Sequence, residues 1–87
     1  MPAAFETGYG HQFLSDLRRL DPPVQRRILE AIETKPLIDP FKYGKKLVGK
    51  MGPGRWRFRV GDYRIRFDIE DGVLLFYRVR HRREVYE

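Results

Sequence analysis

From Arg55 to Ile69, arginines and apolar side chains alternate. Arg55, Arg57 and Arg59 interleave with Trp56, Phe58 and Val60; after Gly61-Asp62, Tyr63, Ile65, Phe67 and Ile69 interleave with Arg64, Arg66 and Asp68. Successive side chains on a β-strand point to opposite faces, so a period of two over this length predicts two strands with one apolar and one basic face. Gly61-Asp62 is a tight hairpin turn. Glu70-Asp71-Gly72 makes the next turn, and Val73 to Val79 is apolar on both sides, which suits a central or well-covered strand. The result is an antiparallel meander whose apolar face needs a covering layer.

The first half of the chain supplies that layer. Phe13, Leu17 and Leu20 recur at spacings of four and three, with Leu14 beside them, which predicts a helix from about Tyr9 to Arg19. Asp21-Pro22-Pro23 is a helix start, because Asp caps free N–H groups and proline at the first helical position loses no hydrogen bond. Val24, Ile28, Ala31 and Ile32 form the buried stripe of this second helix. The short connector makes the two helices a hairpin. Lys35-Pro36 to Asp39-Pro40 reads as a loop, and Ala3 to Thr7 as a short first strand. The expected fold class is therefore α+β: an N-terminal short strand and a helical hairpin packed on a three- to four-stranded antiparallel sheet. One domain spanning 1–87 is expected, since a chain of this length has room for a single modest core.

Composition removes several chemistries. The chain has no cysteine, hence no disulfide, thiolate metal site or Cys nucleophile, which agrees with a reducing cytoplasmic setting. No stretch approaches the roughly 20 apolar residues of a membrane helix, and no leader is evident. The two histidines, His11 and His81, lie far apart with no carboxylates at ligand spacing, so neither metal nor cofactor is expected. Gly49 to Gly54 lacks the spacing of a phosphate-cradling loop.

Charge is segregated. Residues 42 to 66 hold nine Lys and Arg against Asp62 alone, a balance of +8 within a chain of net charge +6. If the hairpin register holds, Arg55, Arg57, Arg59, Arg64 and Arg66 crowd one face. Directly opposed like charges destabilise a sheet, so the arrangement is costly unless an anion is bound there. Guanidinium suits phosphate because its planar fork donates two parallel hydrogen bonds and keeps its charge at physiological pH. The plainer alternative is that arginine stems cover the sheet and their charges pair with Asp68 and Glu84. A metal-independent attack on RNA fits the residue set: the ribose 2′-hydroxyl attacks the adjacent phosphate once a base takes its proton. His81 is the better proton-transfer group on chemistry alone.

Three stretches carry a resemblance: Gly61-Asp62-Tyr63-Arg64-Ile65-Arg66-Phe67, His81-Arg82-Arg83-Glu84-Val85-Tyr86, and Asp16-Leu17-Arg18-Arg19-Leu20, with Leu47-Val48-Gly49 before the hairpin. Together they resemble the RelE family of the RelE/ParE toxin superfamily over nearly the whole chain. The resemblance implies a ribosome-dependent endoribonuclease that cuts messenger RNA, inhibits translation and is held inactive by a cognate antitoxin in a heterotetramer or larger hetero-oligomer. It implies catalytic roles for Arg64 (phosphate), Arg82 (leaving group, with Arg80 the alternative), Tyr86 (base and stacking) and Arg57. Arg59, Arg55, Arg66, Lys50, Lys46 and His81 complete the RNA-binding set. The rival within the superfamily is a ParE-like inhibitor of DNA gyrase that cleaves no RNA; a non-catalytic basic nucleic-acid-binding module is the third reading.

Overall fold

The computed structural model describes residues 5–49 and 52–84. Its elements are β1 (Glu6–Tyr9), α1 (His11–Arg18), α2 (Pro22–Thr34), a single turn α3 (Pro40–Tyr43), β2 (Lys45–Lys46), β3 (Trp56–Val60), β4 (Tyr63–Glu70), β5 (Val73–His81) and a 3-10 turn Arg82–Glu84. The five strands form one sheet in the order β1-β5-β4-β3-β2. β2 through β5 pair antiparallel; β1 alone runs parallel, beside β5. The α+β architecture, with a short first strand and two helices against a meander, is the one expected.

The differences lie in the short pieces. β1 runs past the expected Thr7 to Tyr9, Ala3 and Ala4 lying outside the described residues, and its pairing to β5 makes the first half of β5 an interior strand, as its apolar run on both sides requires. At the end of the expected loop of Lys35-Pro36 to Asp39-Pro40, α3 forms one turn, with the Asp39 side chain accepting the Lys42 backbone N–H at 3.1 Å. β2 adds a two-residue strand against β3. Asp21 occupies the N-cap of α2 but its side chain makes no capping hydrogen bond; the prolines after it carry the helix start.

The core lies between the helices and one face of the sheet. Phe13 and Leu17 of α1, Ile28 and Ile32 of α2, and Phe58, Val60, Ile65, Phe67, Leu74, Phe76 and Val79 of the strands are buried together. Each fully buried large apolar side chain contributes about 1.5–3 kcal/mol. Val24 and Ala31, expected in the stripe of α2, are half-buried and pack at its margin. Both helices thus cover one face, and the arginines of β3 and β4 hold the other.

The turns fix the register. At Asp71-Gly72 both residues have positive φ (48° and 78°), the backbone of a type I′ hairpin whose twist matches the strands it joins.

Candidate nucleic-acid interface

Register decides which cations meet. Arg57 stands directly opposite Arg66 and Arg59 opposite Arg64, while across the next ladder Arg64 faces Arg80 and Arg66 faces Arg78. Opposed residues share a face and their Cβ atoms lie roughly 4.5–5.5 Å apart. Arg59, Arg64 and Arg80 therefore form one row across three strands. Two residues along, roughly 6.7 Å away, Lys45, Arg57 and Arg66 form a second row, since Lys45 stands opposite Arg57.

Arg78 is diverted from the second row. A register shift between Arg66 and Phe67 leaves Tyr77 as the extra residue on β5. Asp16 of α1 accepts hydrogen bonds from Arg78 Nε (2.7 Å), Arg78 Nη2 (3.1 Å) and the Val79 backbone N–H (3.0 Å). Burial pushes the Asp16 carboxyl up, but these hydrogen bonds and the charges of Arg78 and Arg80 outweigh it and hold the group below the ordinary carboxylate value. Arg78 is held above its ordinary value, first by its hydrogen bond to Asp16.

Asp68 answers one further cation. Its carboxylate accepts the backbone N–H groups of Gly54 (2.6 Å) and Arg55 (3.0 Å) and lies 3.7 Å from the Arg55 side chain. Arg55 is thus partly neutralised, as the stem-and-pair alternative foresaw. Arg66 directs Nε to the Gly54 carbonyl, which ties β4 to the approach to β3. Yet Arg66 Nη2 and Arg80 Nε are buried without a hydrogen-bond partner among the described residues. Buried donors of a charged group left open in this way are costly until something accepts from them.

Not every residue singled out in the sequence joins these rows. Lys46 stands opposite Trp56, on the helix-facing side of β2, so register selects Lys45 as the lysine beside Arg57. His81 faces Tyr63 one step beyond the Arg64–Arg80 pair, and the two rings meet edge to face at 5.2 Å; alternation turns His81 away from the arginine side. Arg82 lies in the 3-10 turn, exposed, 3.5 Å from the equally exposed Asp62. Of the two arginines matched to leaving-group support, Arg80 is the one directly across from Arg64. Tyr86 and Lys50 lie outside the described residues. Sequence reasoning passed over Lys45, Asp16 and Tyr77; the last is carried to the arginine side by the bulge, where it adjoins Gly54 beside Arg66. Among the described residues no group of three or more His, Asp or Glu side chains could hold a metal ion.

Comparison with known proteins fixes the class. Residues 9–86 match the family model described as ParE toxin of the type II toxin-antitoxin system, so the chain belongs to this family, within the RelE/ParE toxin superfamily. Several proteins similar to it carry RelE names. Toxin RelE3 of Methanocaldococcus jannaschii is 27% identical over 82 residues, covering 91% of this chain and 92% of that protein. The archaeal RelE-RelB complex of Pyrococcus horikoshii matches with TM-score 0.66 and 27% identity over 91% of this chain and 96% of the solved one. The toxin of the RelBE2 complex of Mycobacterium tuberculosis shares the fold at TM-score 0.81 and 24% identity, over 90% of this chain and 98% of that one.

Proposed function

We propose that this toxin is a metal-independent endoribonuclease that cleaves messenger RNA on the ribosome and so inhibits translation. What supports the reading is the pair of cationic rows, Arg59-Arg64-Arg80 and Lys45-Arg57-Arg66, on the face of the sheet away from the helices. In the reaction, the ribose 2′-oxygen forms a bond to the adjacent phosphorus as its proton leaves to a base. The bond from phosphorus to the 5′-oxygen then breaks as that oxygen takes up a proton. The products are a 2′,3′-cyclic phosphate and a 5′-hydroxyl end. Arg64, with Arg80 across from it, binds the scissile phosphate and stabilises the charge that builds on its equatorial oxygens; Arg57, Arg59, Arg66 and Lys45 hold the neighbouring backbone. Tyr86 serves as the base in the family's pattern, and Arg82 lies near enough in sequence to Arg80 to contact the same strand.

Its partner is an antitoxin. The Pyrococcus and Mycobacterium relatives were solved as toxin-antitoxin complexes. For this chain the fitting antitoxin segment is amphipathic, with acidic groups that meet the arginine rows. Mixing the toxin with the product of the neighbouring gene is expected to give a stable complex; two separate species by size-exclusion chromatography would contradict it.

The ParE description of the family model favours a second reading, gyrase inhibition without RNA cleavage. Expression in cells without antitoxin separates the two. Breaks mapped within translated messages are expected; intact messages with gyrase-dependent DNA breaks would favour the second reading.

A further inference from the structure

β1 ends at the Tyr9–Phe76 pairing, so from Arg78 onward no strand among the described residues lies along the outer edge of β5. Two carboxylates take up the edge N–H groups instead: Asp16 accepts from Val79 at 3.0 Å and Glu84 from His81 at 3.1 Å. Between these caps a cavity of about 220 Å3 opens, bordered by Leu20, Tyr63, Arg80, His81 and Glu84. It is smaller than the roughly 300–1,000 Å3 of drug-sized sites and suits one flat ring system.

Its chemistry is mixed in a particular way. Leu20 and the edge-to-face pair of Tyr63 and His81 supply an apolar and aromatic wall. The His81 Nδ1 accepts the Arg83 backbone N–H at 3.2 Å, so the neutral ring carries its proton on Nε2 as a donor. Arg80 also borders the cavity, and its Nε is buried without a partner among the described residues. Glu84 bonds through Oε1, which leaves Oε2 as an acceptor. A donor and an acceptor beside an aromatic wall are what the edge and face of an unstacked base require.

Arg80 links the cavity to the arginine rows, because it borders the one and stands opposite Arg64 in the other. We propose that the cavity receives an RNA base beside the arginine rows, with Arg80 at the boundary between the two, and that it sets the base preference at the cut. This rests on the ribonuclease reading for its consequence, though not for the binding itself.

The full chain is titrated with the four nucleoside 3′-monophosphates and with inorganic phosphate. One nucleotide is expected to bind at least tenfold more tightly than phosphate, with a spread of about tenfold among the four bases. His81→Phe keeps the ring and removes the Nε2 donor; Glu84→Gln replaces the acceptor carboxylate by an amide. With melting curves confirming that both fold, the first is expected to shrink the spread below about threefold and the second to change which base ranks first. Equal binding of all four nucleotides and phosphate, or an unchanged ranking in both variants, would overturn the assignment. RNA cleavage without ranked binding overturns the cavity and leaves the ribonuclease reading standing. Ranked binding without RNA cleavage does the reverse.

Discussion

At Arg59 the sheet holds an exposed guanidinium straight across from Arg64, which in turn faces Arg80. Such opposition lowers stability by about 0.2–1 kcal/mol per pair. Arg59→Gln is therefore expected to raise Tm by a few degrees while weakening RNA binding, measured on the same preparation; a lower Tm would mean that the row carries no strain. Asp16 acts in the opposite sense, since it draws Arg78 out of the second row. Loss of its three charge-assisted hydrogen bonds in Asp16→Asn is expected to cost about 2 kcal/mol, roughly 8–16 °C in Tm. The Asp16 carboxyl is held below its unfolded value near 3.9, so its stabilisation is fully present above that value and is lost as pH falls through the folded pKa. The stability gap between parent and Asp16→Asn should thus be full above about pH 5, start to shrink below about pH 4 and vanish only as pH falls through the lower folded pKa. A gap independent of pH would show that charge plays no part.

Among the elements, β3, β4 and both hairpin turns were legible because a period of two persists long enough to be unmistakable in Arg55 to Ile69. β2 and α3 were not, since two residues and a single turn are shorter than any period. The placement of Lys45 rather than Lys46 on the arginine side followed from that missing strand. The bulge at Tyr77 was likewise hidden, because it lies in the pairing of β5 with β4, which is not local. Gly54 shows how tightly the approach to β3 is specified. It has φ of +77°, and a Cβ there would lie 2.9 Å from Tyr77 Cδ2 and 3.1 Å from Arg66 Cβ. Its N–H and carbonyl bond Asp68 and Arg66. Gly54→Ala is expected to lower stability by about 1–3 kcal/mol, read from denaturant melts, and to loosen Arg66; a neutral effect would mean that this loop adapts freely.

As a whole molecule the protein places its helices and core on one side of the sheet and gathers its arginine rows on the other. If about five of these cations engage a single-stranded RNA backbone, the logarithm of affinity should fall with that of salt at a slope of roughly −3.5; a slope near zero would remove the electrostatic basis of binding. The most direct measurement is cleavage of a message on programmed ribosomes by the parent and by Arg64→Ala. The account expects cut messages with 5′-hydroxyl ends from the parent and a rate lower by about 10²–10³-fold from the variant. Equal cutting by the two proteins, or an uncut message with the parent, would contradict it.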